Sequence, residues 1–60
     1  MEIEYLEIDY DEIVAESEMA ICLRLDGETE QWIPKSVMSC YPSDGVADVA
    51  AWFAEREGLI

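Results

Sequence analysis

The alternating segment of residues 19–25, followed directly by Asp26 and Gly27, constrains the fold more than any other part of this chain. One set of alternate residues is entirely apolar, namely Met19, Ile21, Leu23 and Leu25. A period of two indicates a strand with one face toward a core. Asp-Gly after such a strand predicts a tight hairpin, because glycine accepts positive φ angles. Residues 28–33 should therefore return as an antiparallel strand, which ends at Pro34 because proline lacks an N–H donor.

A second alternation near the N-terminus predicts another strand, with an acidic outer face. Its two alternating sets are Leu6, Ile8 and Tyr10 against Glu7, Asp9 and Asp11. The phase changes at Asp11 and Glu12, which predicts a bulge or bend there. A helix is the alternative, since apolar residues also recur at heptad spacing, at Ile3, Leu6, Tyr10 and Ile13. The alternation favours the strand.

The second half of the chain contains turn signals and one helical pattern. Residues 35–41 predict a short helical turn or loop, and residues 42–45 (PSDG) predict a second turn. A short fourth strand is expected at residues 46–49. Residues 48–57 have helical character, and this helix is too short to be stable unless it packs on the sheet.

The expected ends of that helix follow from capping chemistry. Asp48 is the predicted N-cap, Gly58 the predicted C′ residue, and Leu59 the apolar residue that closes the C-cap. Trp52 and Phe53 should form the face that docks on the sheet. The fold class is therefore α+β, a single domain of residues 1–60. It should contain a small, strongly twisted antiparallel sheet of three to four strands with a C-terminal helix packed on one face.

The charge of the chain limits its function. Its 60 residues carry a formal net charge of −12, from 15 acidic and 3 basic side chains, and no histidine. With 52% hydrophobic residues the chain is too apolar for the usual disordered composition. The absence of a membrane-length apolar stretch and of a basic N-terminus predicts a cytoplasmic protein with reduced Cys22 and Cys40.

The acidic side chains of the first strand predict a binding face. Alternate strand residues lie about 6.6 Å apart, so Glu7, Asp9 and Asp11 would form a row spaced like successive phosphates of one nucleic-acid strand. A basic groove that neutralises phosphates would bind this row. Five further acids are expected to support it: Glu2, Glu4, Glu12, Glu28 and Glu30. The alternatives are a solvated face that protects sheet edges, or general acidity that maintains solubility in salt.

Other functional classes have weaker signals. The field repels phosphate and so disfavours direct nucleic-acid binding. The serines and cysteines have no histidine to act as a base, which predicts a protein that is not an enzyme. Asp9, Asp11 and Glu12 could hold Mg²⁺ or Ca²⁺ only loosely, and the spacing is not that of an EF-hand. No metal and no cofactor are therefore predicted.

The segment Trp32-Ile33-Pro34-Lys35-Ser36 has two interpretations. In the favoured one, Trp32 or Ile33 ends the third strand in the core, and Pro34 stops strand pairing. In the other, Trp32 is exposed beside Lys35 and anchors a protein partner, because tryptophan is enriched at interaction hot spots.

Four segments resemble small phage and mobile-element proteins. They are residues 16–21 (ESEMAI), 26–28 (DGE), 32–36 (WIPKS) and 51–59 (AWFAEREGL). The corresponding patterns in those proteins are an "ETEKAI" run, a "DG" hairpin, "WIPKS" and an "EWLAEKKGL" tail. The present chain departs from them at Ser17 and Met19, which makes it more acidic.

In size and charge the chain also resembles small acidic anti-CRISPR proteins, in particular type I-C inhibitors that act as DNA mimics. The resemblance implies binding at the DNA-recognition surface of the large subunit of a type I surveillance complex. The expected protein is a monomeric inhibitor in the host cytoplasm, with a basic protein surface as partner and neither nucleic acid nor membrane. The alternative is a non-catalytic interaction module of a phage or plasmid that uses the Trp32–Lys35 region or a dimer edge.

Overall fold

The computed structural model describes residues 2–59 and contains five strands and a C-terminal helix. The elements in chain order are β1 (Tyr5–Asp9), β2 (Glu12–Glu16), β3 (Ala20–Asp26), β4 (Thr29–Pro34), a 3₁₀ turn (Lys35–Val37), β5 (Val46–Ala50) and α1 (Ala51–Arg56). All strand pairs are antiparallel. The predicted α+β class, with a small antiparallel sheet and a C-terminal helix, is confirmed.

The strands form two sheets, where the sequence suggested one sheet of three to four strands. One sheet has the order β1-β5 and the other the order β2-β3-β4. They separate between Tyr10 and Asp11, and the chain bends at Asp11, the first of the two residues (Asp11 and Glu12) where a bulge or bend is predicted. The Tyr10 N–H donates to the Gly45 carbonyl (2.9 Å), whereas the Asp11 N–H donates to the Arg24 carbonyl (2.7 Å). Consecutive amides are thus bonded to different sheets.

The core lies between the two sheets and the helix. Its most completely buried large side chains are Ile21, Leu23, Ile33 and Val49. Ile8, Ala47, Phe53 and Ala54 join them from β1, β5 and α1. The alternation of β3 therefore predicts two of its three buried residues, Ile21 and Leu23, but not Cys22, which is buried as well. Met19 is 73% exposed, because β3 begins only at Ala20.

A hairpin forms where Asp26-Gly27 predicts one, and a second tight turn forms where residues 42–45 predict a turn, but only the second uses positive φ angles. Ser43 and Val46 exchange two backbone hydrogen bonds (3.2 and 3.0 Å) around Asp44 (φ 55°) and Gly45 (φ 77°). Two positive φ angles are typical of a type I′ turn. In the β3–β4 hairpin Asp26 pairs with Thr29, and Gly27 has no positive φ. The prediction that Gly27 adopts a positive φ angle is therefore wrong, although the predicted hairpin is present.

Substituting Gly45 by alanine should destabilise the protein by about 1–2 kcal/mol, because a Cβ is strained at positive φ. At 3.6 Å from the Tyr10 carbonyl oxygen the added Cβ would make an ordinary van der Waals contact, so the cost arises from the backbone conformation. Gly27→Ala is the matched control, since its Cβ meets nothing within 4 Å. The measurement is urea unfolding followed by circular dichroism. Equal stability of the two variants would contradict the assignment of strain to Gly45.

The helix begins later than predicted. β5 continues to Ala50, so Asp48 is a strand residue and the predicted N-cap at Asp48 is wrong. The pairing of β5 with β1 explains this, because Asp48 lies opposite Glu7. The docked face also differs: Phe53 is buried and Trp52 is 52% exposed. No helix in residues 2–59 has the length and apolar character needed to cross a membrane.

The C-terminal cap of α1 matches the prediction. Gly58 has φ 71°. Its N–H donates to the Glu55 carbonyl (3.2 Å), and the Leu59 N–H donates to the Ala54 carbonyl (2.8 Å). These two bonds define a Schellman motif. Leu59 packs against the core, as its predicted capping role requires.

Candidate binding surface

An open groove of about 550 Å³ brings together parts of the chain that are distant in sequence. It lies between β1, the β3–β4 hairpin and the end of α1. Four carboxylates line it: Glu7, Asp9, Asp26 and Glu57. Three apolar residues also line it: Ile8, Leu25 and Leu59. We call this feature the acidic groove.

Each carboxylate of the acidic groove is held by a regular element. Glu7 and Asp9 are exposed on β1 because Ile8 between them is buried, as alternation in a strand requires. Asp26 is the last residue of β3, and Glu57 is the C-cap of α1. None of these four takes part in an ion pair among the described residues. The groove therefore has an uncompensated negative field.

Asp48 adds a fifth charge beside the groove. It lies directly opposite Glu7 in the β1–β5 register. Like charges at opposite positions of an antiparallel pair repel each other. The Asp48 carboxylate accepts a hydrogen bond from the Ser39 hydroxyl (3.4 Å), which fixes its position without supplying a positive charge.

Two of the predicted contact residues, Glu12 and Glu30, form ion pairs on the other sheet. Arg24 lies opposite both residues, one on each neighbouring strand. Its guanidinium bonds Glu12 and also Glu30, the latter at 3.0 Å. These acids are part of a cross-strand Glu-Arg-Glu row and not of the acidic groove.

The remaining predicted residues do not line the acidic groove. Asp11 is exposed in the bend after β1, so the expected row of three contains only Glu7 and Asp9 within the strand. Glu2 and Glu4 are exposed ahead of β1, and the Glu4 carbonyl accepts the Ala51 N–H (2.7 Å). Glu28 is in the loop of the β3–β4 hairpin, two residues beyond Asp26.

Glu16 joins the end of β2 to the segment after β4. Its carboxylate pairs with the Lys35 ammonium (2.8 Å) and accepts the Tyr41 hydroxyl (2.8 Å). The hydrogen bonds from Lys35 and Tyr41 lower the pKa of Glu16 below its ordinary value of 4.5. The same bond to Glu16 raises the pKa of Tyr41.

Glu16→Gln should reduce stability at neutral pH and remove part of its acid dependence. The folded-state pKa of Glu16 is lowered, so its contribution is full above the unfolded-state pKa near 4.5. That contribution is lost as the pH falls through the lower folded-state pKa. The difference in free energy of unfolding between wild type and E16Q should therefore shrink as the pH falls below 4.5. Urea titrations from neutral to acidic pH measure it, with E18Q as control. A pH-independent difference contradicts the coupling.

Trp32 and the two thiols complete the set of residues singled out from the sequence. Trp32 is 49% exposed, whereas Ile33 is fully buried, so Ile33 alone supplies the core side chain of this segment.

Both cysteines are free, Cys22 buried and Cys40 exposed. Burial, with a smaller effect from Glu30, raises the pKa of the Cys22 thiol. A raised thiol pKa makes Cys22 a poor nucleophile.

Sequence reasoning missed Asp26, Asp48 and Glu57 as members of this surface. Asp26 was assigned only to a turn, Asp48 to a helix cap and Glu57 to a helix end. Asp26 and Glu57 come close to Glu7 and Asp9 through packing of the hairpin and the helix, and Asp48 through the pairing of β5 with β1. The chain gives no local signal for either kind of contact. Within residues 2–59 no three carboxylates or thiols converge as metal ligands, and this includes Asp9, Asp11 and Glu12.

Comparison with known proteins adds no relative. No protein-family model, curated protein or solved structure matches this chain.

Proposed function

We propose that the protein is a non-enzymatic inhibitor that covers a basic nucleic-acid-binding surface of another protein. The observation that carries this proposal is the acidic groove, where Glu7, Asp9, Asp26 and Glu57 meet without a neutralising cation among the described residues. A partner surface rich in lysine and arginine would supply the missing charge.

The charge distribution favours a basic partner in two ways. Only three of the 15 carboxylates take part in ion pairs among the described residues, so most of the field extends into solvent. Such a field accelerates association with a surface of opposite charge. In addition, Glu7 and Asp9 are separated by about 6.6 Å along β1, a spacing similar to that of successive phosphates. The side chains thus imitate part of a polyanion.

The partner we propose is the DNA-binding surface of a type I CRISPR surveillance complex in a host cytoplasm. The large subunit of a type I-C complex is the specific candidate, because the sequence resembles small acidic anti-CRISPR proteins. The inhibitor would act as a monomer without binding nucleic acid itself. It would compete with DNA for lysine and arginine side chains that otherwise contact phosphates.

A competition assay with a purified type I-C surveillance complex and fluorescently labelled target DNA tests this function. Added inhibitor should lower the fraction of DNA bound, measured by fluorescence anisotropy. The inhibition constant should rise with salt, since exposed charge contacts are screened. DNA binding that is unchanged at a large excess of the protein contradicts the proposal.

A second candidate function is a non-catalytic interaction module of a phage or plasmid. The exposure of Trp32 (49%) on β4 favours it, because an exposed tryptophan is a typical interface anchor. Light scattering distinguishes the two: a stable homodimer that Trp32→Ala dissociates supports the module, and a monomer supports the inhibitor.

A further inference from the structure

The acidic groove runs along an unpaired edge of β1. In the sheet of β1 and β5, the only neighbour of β1 among the described residues is β5. The outer edge of β5 is partly covered, because Met38 bridges to Val49 and the Ser39 N–H donates to the Asp48 carbonyl (3.2 Å). Within residues 2–59 no backbone hydrogen bond covers the outer edge of β1, and Glu7, Ile8 and Asp9 line the groove.

The register shows which backbone groups point toward that edge. The Ala51 N–H donates to the Glu4 carbonyl, and the Tyr10 N–H donates to the Gly45 carbonyl. Hydrogen-bonded pairs alternate in an antiparallel ladder, so Leu6 and Ile8 are bonded to β5 as well. The N–H and C=O groups of Glu7 and Asp9 consequently point away from β5.

The residue opposite Glu7 confirms this orientation independently. Asp48 is the register partner of Glu7, and its carbonyl accepts a hydrogen bond from Ser39 on the far side of β5. In a pair that is not hydrogen-bonded, both residues direct their backbone groups outward. Glu7 therefore presents a donor and an acceptor to the acidic groove, as does Asp9 two residues later.

We propose that the acidic groove binds an extended segment of the partner as an additional strand on β1. An exposed sheet edge is a template for strand addition, in which backbone bonds supply affinity and side-chain contacts supply specificity. This inference rests on the proposed function and deepens it, because it names the form in which the basic partner binds.

The side chains around the groove determine the sequence of that segment. Alternate residues of an added strand would lie beside Glu7 and Asp9, and opposite charges at such positions attract. The intervening residues would face the other way, toward Leu25 and Leu59. The segment should therefore alternate arginine or lysine with apolar residues. A second copy of β1 is the wrong occupant, because it would place Glu7 and Asp9 beside like charges.

Synthetic peptides test strand addition on the intact protein. The probe is a short peptide of alternating arginine and valine, with a block-ordered peptide of the same composition as control. Two further versions of the alternating peptide carry N-methyl groups on every second residue. One is methylated at its odd-numbered residues and the other at its even-numbered residues. Only one phase removes the N–H groups that face β1, so that version should bind about tenfold more weakly or worse, from the loss of two or more hydrogen bonds. Calorimetry measures the affinities.

Amide hydrogen exchange locates the bound strand. Binding of the alternating peptide should slow exchange at Glu7 and Asp9 by about tenfold or more, because both amides gain an acceptor. Equal affinity of the block-ordered and both methylated peptides, without protection at these amides, overturns strand addition. Self-association of the protein without peptide, measured by sedimentation, overturns the choice of occupant. Either result leaves the DNA competition assay intact as a separate test of the inhibitor.

Discussion

Replacing Leu23 by alanine should lower the free energy of unfolding by about 3–5 kcal/mol. Leu23 is fully buried in the central strand of the three-stranded sheet. Truncating such a leucine costs about 3–5 kcal/mol, from lost burial and the cavity left behind. A domain of 60 residues has a total stability of about 3–9 kcal/mol. The substitution thus removes at least about a third of the available stability, and all of it if the total is near about 3 kcal/mol.

Circular dichroism with urea unfolding measures the effect. Met19→Ala is the matched control, because Met19 is a large apolar side chain just ahead of the same strand and is 73% exposed. We expect M19A to change the free energy of unfolding by about 0.5 kcal/mol or less. A folded L23A variant with nearly wild-type stability would show that the core is not where the structure places it.

Neutralising three carboxylates of the acidic groove should weaken competition with DNA at least about 100-fold. The variant E7Q/D9N/D26N keeps the shape of the side chains and removes their charges. Contacts between close opposite charges at interfaces are worth about 1.5 kcal/mol or more each, so the loss of three exceeds the 2.8 kcal/mol of a 100-fold change. The anisotropy assay with the type I-C complex measures the inhibition constant.

The control variant removes the same number of negative charges at positions outside the acidic groove. E18Q/D44N/E55Q also removes three negative charges from exposed positions, none of which lines the acidic groove. It should compete within about threefold of wild type, because distant exposed charges are largely screened at physiological salt. Equal weakening by both variants would mean that total charge and not the groove determines binding.

The sequence predicted those parts of the fold that depend on local pattern. Alternation predicted Ile21 and Leu23 as buried residues, Asp26-Gly27 and residues 42–45 marked the positions of the two turns, and Gly58 ended the helix as expected. The predicted start of the helix was wrong because Asp48 fits two patterns, that of an N-cap and that of a strand residue. Pairing of β5 with β1 decides between them, and this is a contact between distant segments that no local pattern specifies.

The candidate site was predictable only in part, for the same reason. The acidic outer face of the first strand was evident, and Glu7 and Asp9 lie on it. Glu12 and Glu30 could not be separated from the unpaired acids, because only the register of β3 with its two neighbours shows that Arg24 lies between them. Asp26 and Glu57 line the same groove as Glu7 because of how the hairpin and the helix pack.

The pairing of β1 with β5 has a consequence for how the surface arises during folding. β2, β3 and β4 are joined by short turns, whereas β1 and β5 come from opposite ends of the chain. Contacts of such large sequence separation carry a greater loop-closure entropy. The acidic groove is lined by residues of β1 and of the C-terminal end of α1 as well as by the β3–β4 hairpin. It is therefore complete only after β1 has paired with β5 and α1 has packed, so a folding intermediate that contains β2, β3 and β4 alone would lack it.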